Sequence, residues 1–257
     1  MYNNFFIIII IFIFSSCSLN NNELMNNSKF QEIENLNPKI YEIDNMPSSF
    51  SANEIPIFSV KNISKNIFLG SAFSFSYLNN TYILTSRHVI EASVYDIKNK
   101  KIILYDSLNN REYIVVNYYF ELNKPDIALL KVNELDLIDI KNKYKTPKLL
   151  ENESKIKLNE NLFIPNYSQF KYMDIYKKNN TFLFTRGYIS SIQQNDIFAQ
   201  VDFFNVGGSG SPIINKDYKV IGFVNQMLIE NNQFRNIITG LNNIEILKFI
   251  KEYNETN

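Results

Sequence analysis

The chain has one histidine, one cysteine and no tryptophan, with only seven glycines and seven prolines in 257 residues. A single cysteine excludes an internal disulfide framework, and one histidine beside one cysteine excludes the familiar zinc ligand sets. Net charge is missing as well, because 26 Lys and Arg balance 26 Asp and Glu. That balance offers no basic field for nucleic acid and no polybasic patch for anionic lipid. No metal, no cofactor and no nucleic-acid partner is therefore expected. The abundance of Asn, Ile and Lys reads as a genome-composition bias, and the Asn-x-Ser/Thr triplets that follow from it carry no glycosylation reading.

The scarcity of histidine narrows the chemistry of what is present. A serine hydroxyl is a weak nucleophile until a neighbouring base takes its proton. Only His88, in Thr85-Ser86-Arg87-His88-Val89, can be that base. Ser209 lies in Val206-Gly207-Gly208-Ser209-Gly210-Ser211-Pro212, where bare glycines allow a sharp turn with amide N–H groups pointing outward. Such amides suit the negative charge that develops on a carbonyl oxygen under attack. A carboxylate to orient the imidazole is found in Pro125-Asp126-Ile127-Ala128-Leu129-Leu130. Asp96 and Asp106 also lie between His88 and Ser209, but only Asp126 heads an apolar strand. The chain order His88, Asp126, Ser209 separates this arrangement from the subtilisin and α/β-hydrolase orders.

These segments resemble those of the trypsin-like serine proteases. Thr-Ser-Arg-His-Val is similar to the family's Thr-Ala-x-His segment, and Asp-Ile-Ala-Leu-Leu to its Asp-Ile-Ala-Leu strand. Gly207-Gly208-Ser209-Gly210-Ser211-Pro212 is similar to Gly-(Asp/Asn)-Ser-Gly-Gly-Pro. The bacterial Deg/HtrA-type and glutamyl-endopeptidase branches resemble it most, and the likeness runs from about Ile55 to Ile250. It departs from the pattern at Gly208, where the family has Asp or Asn, and at Ser211, where it has a second Gly. The resemblance implies an all-β fold of two six-stranded antiparallel β-barrels, with the active site in the cleft between them. It implies a serine endopeptidase in which His88, Asp126 and Ser209 are catalytic and the N–H groups of Gly207 and Ser209 form the oxyanion hole. Protein or peptide would be the substrate. Counting back from the nucleophile, as in the trypsins, places Phe203 at the floor of the specificity pocket, with Phe204 and Asn225 beside it. Asp202 falls one residue away, and a one-residue shift in a strand reverses the face. Glutamyl specificity in the related branch leans on a second histidine that this chain lacks. An apolar pocket is the expectation, with preference for Leu, Val or Ala.

The remaining sequence divides into segments. Phe5 to Phe14 is an unbroken apolar run of ten residues, too short for a spanning helix, which needs about 17 or more. It fits the core of a signal peptide over residues 1–16. The Phe-Ser-Ser-Cys ending resembles a lipoprotein box with Cys17 as the lipidated mature N-terminus, although Met1-Tyr2-Asn3-Asn4 has no Lys or Arg. An ordinary cleaved secretory signal is the alternative. Residues 17–52, rich in Asn, Ser and Glu, read as a tether from that membrane anchor. The protease-like domain then covers 53–257, with one barrel over about 55–135 and the second over about 160–240.

Within these barrels the expected strands are Gly70–Tyr77, turning at Asn79-Asn80 into Tyr82–Thr85, then Lys101–Tyr105, Glu112–Tyr118 and Asp126–Val132. The second set comprises Leu162–Pro165, Lys171–Tyr176, Thr181–Ile192, Ile197–Phe204, Ser211–Ile214 and Lys219–Asn225. Residues 133–160 read as a polar connection. A closing helix is expected over about 242–253, and no PDZ module after it. A rival reading keeps the fold without the chemistry, as an inactive surface lipoprotein that binds a partner.

Overall fold

The computed structural model describes residues 55–151, 156–168, 181–230 and 233–256. They belong to a compact unit running from Pro47 to Asn257. The expected signal peptide, Cys17, the whole tether and the strand Lys171–Tyr176 lie outside the described residues. No helix among the described residues is long and apolar enough to cross a membrane.

The second half of the chain closes on itself. Its strands are β9 (Asn161–Ser168), β10 (Thr181–Gln193), β11 (Asp196–Val201), β12 (Pro212–Asn215), β13 (Lys219–Glu230) and β14 (Gln233–Asn242). They pair antiparallel in the ring β12-β9-β10-β11-β14-β13, and β13 returns to β12. This is a closed six-stranded barrel. Alternation drives it: β11 buries Ile197, Ala199 and Val201 and turns Asp196, Phe198 and Gln200 outward, the period of a strand with one face on a core. The barrel is filled by Leu162, Ile164, Ile189, Ile197, Ile213, Ile221, Val224 and Ile238.

The first half supplies β1 (Ile57–Asn62), β2 (Ile67–Tyr77), β3 (Asn80–Thr85), β4 (Ile102–Asp106), β5 (Arg111–Ile114), β6 (Asn117–Tyr119) and β7 (Ala128–Lys131). Pairing runs β5-β4-β1-β2-β3-β7-β6, antiparallel throughout. The path ends at β5 and β6, which are consecutive in sequence and parted only by Val115 and Val116. The Val115 amide donates to Ile102 on the β4 side, and the Val116 amide to Lys131 on the β7 side. The strand pairings thus give one closed barrel and one path broken at this bend. A two-residue β8 (Lys148–Leu149) joins the halves, pairing parallel with both β2 and β13.

The expected hairpin turn is displaced by one residue. Leu78 and Asn79 carry φ of 46° and 64°, as a two-residue turn with both central residues left-handed requires, and Asn80 already pairs with Tyr77. The expected polar connection contains a helix, α3 (Glu134–Lys143), after two short ones, α1 (Arg87–Glu91) and α2 (Val94–Lys98). Asn133 caps α3 by accepting from the Asp136 amide at 2.8 Å, with acids in its first turn and lysines in its last. Those signals are in the sequence, but α3 buries only Ile140, so its apolar stripe is too thin to stand out. The closing helix α4 spans Asn243–Thr256. Its Ile246, Leu247, Phe249 and Ile250 pack with Phe73, Phe75 and Leu84 of the first half and Phe223 and Leu241 of the second. One apolar seam therefore ties the two halves and the helix together.

Candidate active site

His88 is delivered by the end of β3. Ser86 is extended, with φ −72° and ψ 140°, so the chain leaves the strand and enters α1 with His88 as its second residue. Two side chains fix that corner. Thr85 Oγ1 donates to the Ser71 carbonyl at 2.7 Å, and Ser86 Oγ donates to the Val224 carbonyl at 3.1 Å. Asp126 stands two residues before β7 and meets His88 twice. Its Oδ1 accepts from the His88 backbone amide at 2.9 Å, and its Oδ2 lies 2.6 Å from His88 Nδ1. Burial pushes the Asp126 carboxyl up, but the His88 hydrogen bonds and charge, with Arg87 nearby, outweigh it and hold the group below the ordinary carboxylate range. An ionised Asp126 accepting from Nδ1 leaves Nε2 as the nitrogen that can take a proton.

Ser209 is held by both halves. Within its loop the Gly208 amide donates to Asn205 and the Ser211 amide to Gly208, while Gly210 donates to Val224 on β13. From the first half, the Ser71 amide donates to the Ser209 carbonyl at 2.9 Å. Ser71 Oγ donates to the Gly207 carbonyl at 3.0 Å and accepts from the Tyr167 amide at 3.1 Å. Gly207 adopts φ +98°, and a Cβ there would lie 2.2 Å from the Phe68 ring. Conformation and space both demand glycine at that position. Among the described residues, the Gly207 and Ser209 amides have no protein acceptor, so both remain free to donate.

His88, Asp126 and Ser209 line one open groove of about 330 Å³, together with Phe204, Val206, Asn225, Gln226 and Met227. The Ser209 hydroxyl donates to the Asn225 carbonyl at 2.9 Å, and no Ser209–His88 hydrogen bond is present among the described residues. Phe204 is buried in the groove wall, whereas Phe203 is 46% exposed and lies outside the lining. β11 stops at Val201, so a count back from Ser209 does not fix which way the residues after that strand turn. Asp202 is likewise outside the groove, 3.6 Å from Arg186.

The other two acids serve the scaffold. Asp106 is fully buried and accepts from the Leu108 and Asn109 amides, the Asn109 side chain and the Tyr144 hydroxyl. Asp96 accepts from the Asn62 side chain at 2.7 Å, which with neighbouring Lys65 and Lys101 lowers its pKa. Sequence reasoning missed Ser71 and Ser86, whose partners are backbone groups on distant strands. It also missed Arg87, which donates through Nη1 to the carbonyls of Glu121, Leu122 and Lys124 at 2.9, 2.6 and 3.2 Å. A charged residue beside the lone histidine was the one available signal for it.

Residues 70–223 match the family model described as the trypsin-like peptidase domain. Among solved structures, the chain is similar to the inactive form of a serine-to-alanine mutant of Rv3671c from Mycobacterium tuberculosis H37Rv. That match has 16% identity and a TM-score of 0.56, over 80% of this chain and 90% of that one. A second structure, the HtrA-type protease AlgW with a decapeptide, matches at 19% identity and a TM-score of 0.53, over 79% of this chain and 65% of that one. At such identities the likeness speaks for the fold. Among curated proteins, none matches.

Proposed function

The chain belongs to the trypsin-like peptidase family, and on that footing we propose that it is a serine endopeptidase acting through His88, Asp126 and Ser209. The observation that carries the reading is the doubly bonded His88–Asp126 pair, with a 2.6 Å contact at Nδ1, in the same groove as a serine on a glycine-lined turn. His88 Nε2 takes the Ser209 proton as Oγ attacks the substrate carbonyl, while Asp126 fixes the tautomer and stabilises the imidazolium. The free amides of Gly207 and Ser209 receive the oxyanion. The imidazolium then protonates the leaving amine, and water, deprotonated by the same nitrogen, hydrolyses the acyl-enzyme.

The Ser209–Asn225 hydrogen bond favours the rival reading of an inactive, partner-binding protein. Its weight is small. A neutral hydrogen bond nets about 1 kcal/mol, and one χ1 rotation of a groove-facing serine moves the hydroxyl on a picosecond to nanosecond scale. That cost reduces the competent population by less than about tenfold, against a catalytic gain many orders larger.

The apolar wall formed by Phe204, Val206 and Met227, with Asp202 turned toward Arg186, supports preference for a medium-sized apolar residue before the scissile bond. Such a pocket separates neighbours by about 1–3 kcal/mol per methylene, so the preference is broad. The amides of Val115 and Val116 bonding to opposite neighbours support a bent strand made of β5 and β6 that completes a second barrel. We propose export as well, with lipidation at Cys17. Detergent partitioning of the full chain, abolished by Cys17→Ser, tests the anchor. Cleavage of a peptide library tests the activity: cuts after Leu, Val or Ala are expected, and no cleavage above that of Ser209→Ala would overturn it.

A further inference from the structure

We infer that Arg87 is a positioning residue for the His88–Asp126 pair, acting through the loop that carries the acid. The inference rests on the proposed active site and deepens it. Asp126 sits in the stretch between β6 and β7, where few backbone bonds hold the chain. Lys124 donates to Glu121 at 3.3 Å and Ile127 to Pro125 at 2.8 Å. The Arg87 Nη1 group reaches into that stretch and collects the three carbonyls of Glu121, Leu122 and Lys124. Its Nε lies 3.5 Å from Glu91 on the same helix turn, an ion-pair distance without a hydrogen bond. Arg87 and His88 are adjacent, so one dipeptide grips the loop through Arg87 Nη1 and grips Asp126 through the His88 amide and ring.

The consequence lies in how little else aims the imidazole. The His88 side chain is 48% exposed, and its one side-chain partner among the described residues is Asp126 Oδ2. Wherever the loop moves, the carboxylate moves, and the ring follows. A positional error of about 1 Å at a reacting group costs on the order of 10²-fold in rate. The guanidinium carries only donors and never loses its charge in a protein, so Nη1 can serve convergent carbonyls at any working pH. A lysine keeps the charge, but its ammonium ends nearer the backbone than Arg87 Nη1, so it replaces the clamp only in part.

The test uses the full chain and two substitutions, Arg87→Met, which keeps the apolar stem, and Arg87→Lys. Three quantities separate positioning from folding: kcat against KM on a chromogenic peptide, the rate of Ser209 phosphonylation by a fluorophosphonate, and the downfield proton resonance of the His88 Nδ1–H bonded to Asp126. In Arg87→Met, kcat and phosphonylation are expected to fall by about 10²-fold with KM within about threefold of the parent. The downfield resonance should broaden or vanish, and millimolar guanidinium ion should restore part of the rate. Arg87→Lys should fall between Arg87→Met and the parent.

Phosphonylation of Arg87→Met within about threefold of the parent, with the resonance intact, would overturn the inference. So would a loss of kcat that tracks a lowered melting temperature and is not restored by guanidinium. If Arg87→Met does not fold, Arg87→Lys decides alone: a kcat about tenfold down with KM unchanged supports positioning, and a parental kcat sinks it. An unaltered protein that takes no label refutes the active-site reading itself. A labelled parent with variants that match it refutes only the role of Arg87.

Discussion

The ring of Phe204 lies in the space that a side chain at position 208 would need: a Cβ on Gly208 would fall 2.1 Å from Phe204 Cζ. The departure from the family pattern at Gly208 is thus matched by a groove wall that fills the vacated volume. Gly208→Asp should therefore force the ring aside and cost about 1–3 kcal/mol, as overpacking does. Phe204→Ala should widen the groove and shift cleavage toward larger aromatic residues. The double variant should be more stable than the sum of the two single changes predicts, because the sites share one volume. Urea denaturation of all four proteins measures that coupling, and strict additivity would contradict it.

Asp126 should also leave a signature in stability against pH. Its folded pKa is depressed, chiefly by His88 acting against the burial that opposes it. A depressed carboxyl stabilises the fold fully above its unfolded value, near 3.9, and loses that contribution as pH falls through the folded value. The advantage of the parent over Asp126→Asn should accordingly shrink as pH falls below about 4. The same substitution should cut kcat by about 10⁴, since an amide no longer enforces the right imidazole tautomer. Denaturation midpoints in acid that stay parallel for the two proteins would contradict the first expectation.

Much of this site can be read before any coordinates, because its key residues sit in short contiguous motifs. His88 was the only imidazole, Ser209 stood among glycines, and Asp126 preceded an apolar strand while Asp96 and Asp106 did not. What could not be read is held by groups without side-chain identity. Ser71, Ser86 and Arg87 bind backbone oxygens or amides on remote segments, and a carbonyl at Val224 or Leu122 leaves no trace in composition or spacing. Phe204 lines the groove, but Phe203 lies outside it. It was placed by counting back from Ser209, and β11 ends at Val201, before the residues that count reaches. The Leu78–Asn79 turn shifted because Asn79 and Asn80 are equally good turn residues, and only the pairing of Tyr77 with Asn80 decides between them.

Ser71 offers a test of how the halves cooperate. Its hydroxyl bridges the Tyr167 amide and the Gly207 carbonyl, next to the amide expected to hold the oxyanion. Ser71→Ala leaves the buried Tyr167 amide without its acceptor, worth about 1–3 kcal/mol of stability. It also loosens the Gly207 peptide, so acylation should slow by about tenfold, a fraction of the 10²–10³ lost with an entire oxyanion donor. Thermal unfolding and single-turnover acylation read the two effects separately. Parental values in both would contradict this account.

Tyr144 offers the opposite case, stability without chemistry. Its hydroxyl donates to the buried Asp106 carboxylate, and burial, reinforced by that acid, pushes its pKa well above the ordinary tyrosine range. Tyr144→Phe removes one of the donors to a fully buried charge. The expected cost is about 1–3 kcal/mol in denaturant unfolding, with kcat and KM unchanged at temperatures where the variant stays folded. A loss of activity larger than the loss of folded protein would contradict the separation of scaffold acids from the active-site acid.

The central claim is that Ser209 becomes nucleophilic in the field of the His88–Asp126 pair. The most direct measurement is the intact mass and peptide map of the protein after exposure to a fluorophosphonate at neutral pH. One adduct per chain is expected, on Ser209, with none in Ser209→Ala and labelling slowed by about 10⁴ or more in His88→Ala. An unlabelled parent, or an adduct on any other serine that persists in Ser209→Ala, would contradict the account.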